Sequence, residues 1–367
     1  MGKSLHKKYG LKRVINASGR MSILGVSAPS NSVMDAIKEG GQAYTEMPDL
    51  VNKSGDYIAK RLGSEAAVVV NSASSGIALA VAAFVTEGNH RKSERLHQDP
   101  IAKNEIIMFK GHNVDYGAPI ETMIYLGGGK LVEVGYANTG QDTHIRSAIS
   151  EHTPAILYVQ SHHAVQKNML TVEETWEIAQ QEGIPLIIDA AAEEDLQFFI
   201  NYSDLVIYSG SKAIEGPTSG IVAGKSTYIE WLKAQLNGIG RSMKIGKEAI
   251  FGLLQALDEY DMKKDNSAQE KNQLEILTAL NELSGVHVSI VQDEAGRAIF
   301  RARIEIDPDK AKVTAKELNT KLREGDIAIY TRDYGVSQGF FDIDPRPLQG
   351  DDIEIIEKMI RSYVKAD

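Results

Sequence analysis

The chain has 367 residues with a formal net charge of −10, a pI near 5.5 and 43% hydrophobic residues, which predicts one large domain with a smaller companion and argues against a nucleic-acid surface, since that needs clustered Lys and Arg. It holds no cysteine, which excludes disulfides and cysteine-based zinc sites and points to a reducing cytoplasm. The opening Met1-Gly-Lys-Ser-Leu-His-Lys-Lys8 lacks the apolar core of a signal peptide, and no apolar run approaches the roughly 20 residues of a membrane helix, so the expected protein is cytoplasmic, with no membrane contact.

In chain order, residues 1–45 read as an irregular arm, extended over 14–20 and helical over 31–40 behind Pro29. A helix over 50–62 leads into a strand over 66–71, and Ser72-Ala-Ser74-Ser75-Gly76 then opens an Ala/Val/Ile-rich helix running to residue 85. A strand feeding a small-residue turn and a helix N-terminus is a ready anion site, because amide N–H groups and the positive end of the helix dipole point outward there. Ser74, Ser75 and Gly76 are therefore candidates for holding a phosphate, an ordinary helix cap being the plainer alternative. Polar residues 89–103 read as a surface excursion. Apolar runs at 105–109, 131–134, 155–160, 185–189, 205–209 and 221–223 read as strands with helical patterns between most of them. The helix over 171–182 starts at a capping box of Thr171 and Glu174.

This alternation predicts an α/β domain with a mostly parallel sheet buried on both faces, and ligands in such sheets bind beyond the carboxyl ends of the strands. A connecting helix over 245–264 follows. Strands at 286–291, 298–306 and 327–331, with helices at 311–323 and 352–363, then predict a small α+β domain completed by the N-terminal arm. The expected division is 46–250 for the large domain, and 1–45 with 251–367 for the small one. Repeats and low-complexity tracts are absent.

Two strand ends carry the chemistry. The run Ile184-Pro-Leu-Ile-Ile-Asp189 closes on an acid followed by three alanines, small enough to admit a flat ring, and the run from Leu205 ends in Ser209-Gly-Ser-Lys212. A carboxylate that keeps a pyridine nitrogen protonated and a lysine that forms an imine are what pyridoxal phosphate chemistry requires. The plainer readings are a helix-capping aspartate and a lysine that snorkels to solvent. Ser209 could add a hydroxyl to the phosphate site. His162 and His163 are neighbours in an extended segment and point to opposite faces, so they do not share a metal, and no metal site is expected.

The order Ser74-Ser-Gly76, Gly111-His112, Asp189-Ala-Ala-Ala and Ser209-Gly-Ser-Lys212 resembles fold-type I pyridoxal-phosphate enzymes. More narrowly, Ser209-Gly-Ser-Lys-Ala-Ile-Glu-Gly-Pro-Thr218-Ser-Gly and Arg241-Ser-Met-Lys-Ile-Gly-Lys-Glu248 resemble the selenocysteine synthase (seryl-tRNA selenium transferase) family. Lys110-Gly-His-Asn-Val-Asp-Tyr-Gly-Ala-Pro119 and Tyr158-Val-Gln-Ser-His-His163 resemble, within that group, its ammonia lyases of phosphorylated aminosugar acids.

The resemblance implies a fold-type I large domain in which Lys212 carries pyridoxal 5'-phosphate and Asp189 pairs with its ring nitrogen. It implies that Ser74, Ser75, Gly76 and Ser209 hold the phosphate, that Thr218 reaches it from a neighbouring subunit, and that His112 stacks on the ring. His162 is favoured to face the substrate and Arg332 to fork onto its carboxylate, a surface arginine being the plainer reading; Arg20 and Lys167 are candidates for its phosphate among many exposed basic residues. The expected reaction is loss of ammonia, through the C3 hydroxyl, from a 2-amino-2-deoxy sugar acid 6-phosphate, in a homodimer or larger homo-oligomer. Rival readings are another β-elimination or selenium transfer on a serine-like substrate, and a non-catalytic protein that keeps the fold. Selenocysteine synthases carry an N-terminal tRNA-binding domain, whereas this sequence enters the catalytic pattern almost at once, so no nucleic-acid partner is expected.

Overall fold

Seven strands rich in Val, Ile and Leu build the main sheet of the computed structural model, which describes residues 5–161, 163–262, 267–292 and 299–365. They are β1 (Ala66–Val70), β2 (Glu105–Phe109), β3 (Lys130–Val134), β4 (Ala155–Val159), β5 (Leu186–Asp189), β6 (Leu205–Ser209) and β7 (Gly220–Gly224). Their spatial order is β1-β7-β6-β5-β4-β2-β3. Pairs from β6 to β3 are parallel, and β7 alone runs antiparallel, to both β1 and β6.

Successive side chains on a strand point to opposite faces, so uninterrupted apolar runs require cover on both. On β5, Leu186 and Ile188 enter one core cluster while Ile187 enters the other. Helix Ala73–Thr86 is apolar around most of its circumference and is accordingly buried from Ser75 to Thr86. The capping box at Thr171 forms as the sequence predicts: its Oγ1 accepts from Glu174 N at 3.2 Å and Glu174 Oε2 accepts from Thr171 N at 2.8 Å.

The chain divides into two compact units, Pro29–Met262 and Met1–Ala28 with Lys263–Asp367. These boundaries differ from the expected 45/46 and 250/251, and helix packing is the reason. Helix Asn31–Gln42 lies against helix Lys247–Met262, so closely that a Cβ at Gly40 would sit 2.9 Å from the Phe251 ring. Both helices therefore belong to the larger unit.

In the smaller unit, strand Arg13–Ala17 of the N-terminal arm pairs in parallel with Ile327–Thr331. A separate antiparallel sheet has the order Phe340–Ile343, Phe300–Ile306, Val286–Gln292. The first of these strands was not expected, since four residues between Gly339 and Asp344 carry too short an alternation to read. Helix Ala315–Glu324 starts later than expected because Thr314 and Glu317 form its capping box. Among the described residues, no helix is long and apolar enough to cross a membrane.

Candidate active site

In the larger unit, the segments leaving β1, β5 and β6 meet beyond the carboxyl ends of those strands. Ser72 caps helix Ala73–Thr86, its Oγ accepting from Ser75 N at 3.1 Å while Ser75 Oγ accepts from Ser72 N at 3.1 Å. Ser75 Oγ also donates to Asn71 Oδ1, and the residue is buried. The hydroxyl of Ser75 is thus committed to the cap. Its amide is taken too, which leaves Ala73 and Ser74 as the first-turn amides best placed for an anion.

Gly76 serves helix-to-sheet packing. A Cβ there would lie 3.0 Å from Ile207 Cγ2 and 3.2 Å from Val222 Cγ2, so glycine lets the helix settle on the sheet. Gly220, at the start of β7, does the same for the cap itself: its Cβ would come within 2.6 Å of the Ser72 carbonyl carbon.

Lys212 stands in a closed hairpin between β6 and β7. Gly210 N donates to Ser219 O at 2.9 Å, Gly216 N to Gly210 O at 2.8 Å and Glu215 N to Lys212 O at 3.2 Å. Lys212 is half-buried, Thr218 is exposed, and the buried hydroxyls of Ser209 and Ser211 are 3.3 Å apart. One strand over, Asp189 is 8% exposed, and its Oδ1 accepts from Ala191 N at 3.1 Å. One carboxylate oxygen therefore closes a local turn, and no helix starts there for the residue to cap. Burial pushes the Asp189 carboxyl up, against the opposing pull of the Lys212 charge and the Ala191 amide.

His112 is placed differently from expectation. It is fully buried, its Nδ1 accepts from Val159 N at 3.3 Å, and its ring stands edge-on to Tyr158 at 4.5 Å and Phe109 at 5.4 Å. Neither ring face is open for stacking. The cause is the inward turn after β2, where Gly111 O accepts from Val165 N at 2.9 Å and draws the loop against the sheet. Burial lowers the imidazole to about 4.

The aromatic ring beside the helix N-terminus is Tyr116, which the sequence reading did not single out. Its loop is pinned by Ile120 N donating to Val114 O at 3.0 Å and Gly117 N donating to Asp115 Oδ1 at 2.7 Å. The phenol oxygen is buried and, among the described residues, makes no hydrogen bond of ordinary geometry. Burial raises this phenol, Ser74 works against the shift, and the Asp189 charge adds to it, so both neighbours are within electrostatic reach. The signal in the sequence was the turn Asp115-Tyr-Gly-Ala-Pro119 just past a strand end.

Of the remaining candidates, His162 lies outside the described residues, and His163 and Lys167 are exposed. Arg332 and Arg20 belong to the smaller unit. There Arg332 Nη1 donates to Ser18 O at 3.4 Å, its Nε is buried without a partner among the described residues, and Arg20 is half-buried. Among the described residues, no group of His, Asp or Glu is arranged to hold a metal ion.

The family model for L-seryl-tRNA selenium transferase (SelA) matches residues 50–325. D-glucosaminate-6-phosphate ammonia lyase of Salmonella typhimurium is 42% identical over 366 residues, covering 100% of this chain and 99% of its own. A 5'-C-glycyluridine monooxygenase-decarboxylase of a Streptomyces species is 36% identical over 365 residues, covering 98% and 92%. A solved structure of D-glucosaminate-6-phosphate ammonia-lyase superposes with a TM-score of 0.94 at 42% identity, covering 100% of this chain and 99% of that one. Aspartate aminotransferase of Thermus thermophilus, 13% identical at a TM-score of 0.52 and covering 98% and 94%, shares the fold, that of fold-type I pyridoxal-phosphate transferases. With the model match over 276 residues and full-length relatives at these identities, the chain belongs to the SelA family.

Proposed function

We propose that this protein is a pyridoxal-phosphate-dependent ammonia lyase that converts D-glucosaminate 6-phosphate to 2-keto-3-deoxy-6-phosphogluconate and ammonia. The observation that carries the reading is the placement of Lys212 beside buried Asp189 at adjacent strand ends, in a chain 42% identical throughout to an enzyme of that name. These residues suit the cofactor. A buried carboxylate with a raised pKa gains from a cation opposite it, which a protonated pyridine nitrogen supplies, and the open amides of Ala73 and Ser74 suit a phosphate.

Bound there, pyridoxal phosphate supplies a sink for the electron pair left at Cα. Lys212 would anchor the cofactor and, with its amine free, would take the Cα proton. Asp189 would hold the ring nitrogen in its protonated form. His162 or a hydroxyl of the bound cofactor would donate the proton with which the C3 hydroxyl leaves as water. Loss of one water and later uptake of one balance the release of ammonia. Thr218, exposed at the hairpin tip, reaches a neighbouring subunit's phosphate site in a homo-oligomer.

The test is ammonia release from D-glucosaminate 6-phosphate against serine, cysteine and threonine. Turnover confined to the amino acids would favour a serine-type β-elimination or selenium-transfer enzyme. Lys212→Ala removes both the visible absorbance of the bound cofactor and turnover; either one surviving at wild-type level refutes the assignment.

A further inference from the structure

Four buried side-chain polar atoms lack a partner among the described residues: His112 Nε2, Tyr116 Oη, Gln235 Oε1 and Arg332 Nε. A buried donor with nothing to bond costs stability, so each such atom calls for an explanation. Tyr116 Oη is the one that lies beside Ser74, at the helix N-terminus argued above to take an anion.

We propose that Tyr116 is a ligand of the cofactor phosphate, its hydroxyl sharing with Ser74 the anion held at the start of helix Ala73–Thr86. This rests on the pyridoxal-phosphate reading given above. Two features fix the hydroxyl in place, and a third keeps its proton on. The loop is tied at Val114, Asp115 and Ala118, the last through Tyr116 N donating to Ala118 O at 3.2 Å. The ring packs on the same core cluster as Ala73, in the first turn of that helix. Burial, with the Asp189 charge adding to it, keeps the phenol protonated, and a protonated phenol can donate to a phosphate oxygen where an ionised one would repel it. A neutral O–H aimed at an anion makes a charge-assisted bond, stronger than one between neutral groups. His112, buried with its Nδ1 occupied by Val159 N, is not available for this role.

The test variant is Tyr116→Phe, which removes one oxygen and keeps the ring. Apo-protein is titrated with pyridoxal 5'-phosphate and, separately, with pyridoxal, which lacks the phosphate, and binding is read by absorbance. In the variant, affinity for pyridoxal 5'-phosphate falls about ten-fold or more while affinity for pyridoxal is unchanged. Because the apo-protein then loses an unsatisfied buried group, the variant without cofactor melts no lower than the wild type. Equal affinity of both proteins for pyridoxal 5'-phosphate overturns the assignment, as does an equal loss for both ligands. A clear drop in the apo melting temperature also overturns it, since the hydroxyl would then have a partner within the protein. Wild-type protein that binds neither ligand would instead remove the cofactor reading itself, a result distinct from the other three.

Discussion

His112 makes the larger unit sensitive to mild acid, by an amount that follows from its surroundings. The imidazole has no solvent exposure, and its Nδ1 accepts from Val159 N. Protonation would both charge a dry site and set a second donor against that amide. The group titrates at 6.5 in the unfolded chain and at about 4 when folded. Its folded value is the lower one, so its share of stability is complete above pH 6.5 and is lost as pH falls toward 4. At about 1.4 kcal/mol for each pH unit, that share is about 3 kcal/mol. Urea unfolding between pH 7.5 and 4, followed by circular dichroism, measures it when wild type is compared with His112→Asn, which keeps an acceptor for Val159. The variant starts less stable because a ring is replaced by a smaller group. Its deficit then shrinks by about 3 kcal/mol as pH drops, while carboxylate titrations common to both proteins cancel. A deficit that stays constant across this range within about 0.5 kcal/mol would show that the imidazole protonates as easily inside the protein as outside, and the reasoning would fail.

Two other substitutions probe the site. For Asp189 the sign is reversed in kind: burial raises its folded pKa, so its stabilising share is present below the ordinary carboxylate range and is lost as pH rises through the folded value. Asp189→Asn apo-protein should therefore melt higher than wild-type apo-protein at pH 7.5, and match it more closely at pH 4, while binding pyridoxal phosphate more weakly; a lower melting point at pH 7.5 would contradict this. Gly220→Ala brings a methyl within 2.6 Å of the Ser72 carbonyl carbon, a backbone atom that yields only if the helix start moves. The expected cost is about 1–3 kcal/mol, with weaker retention of the cofactor, and unchanged urea unfolding would show that the close approach is not real.

Much of this was legible in the sequence, for identifiable reasons. Asp189 could be read because an apolar run stops abruptly on an acid, and Thr171 because its partner Glu174 is local. The direction of β7 could not. Its five residues are buried whichever way the strand runs, and the hairpin that reverses it carries no short turn signature. Ser75 and Gly76 were expected in the phosphate site together with Ser74; the Ser75 hydroxyl turns to Ser72 and Asn71, a local cap of the kind the plainer reading named, whereas the contact of Gly76 with Ile207 and Val222 depends on neighbours distant in the chain. His112 was read as ligand-facing from its glycine-flanked position, whereas tertiary contacts with Val159 and Tyr158 turned it inward. Tyr116 escaped notice because a lone tyrosine in a turn looks like any surface ring.

The hairpin joining β6 to β7 has a mechanical consequence. In most of this sheet the chain leaves a strand and travels over a face before returning, so a connecting segment can loosen while the strands stay paired. Lys212 has no such slack: both stems of its loop are interior strands, paired on each side, and Gly210 and Ser219 are laced across its neck. Its amine can lose its address only when these interior strands come apart, which ties the lifetime of the reactive group to that of the sheet.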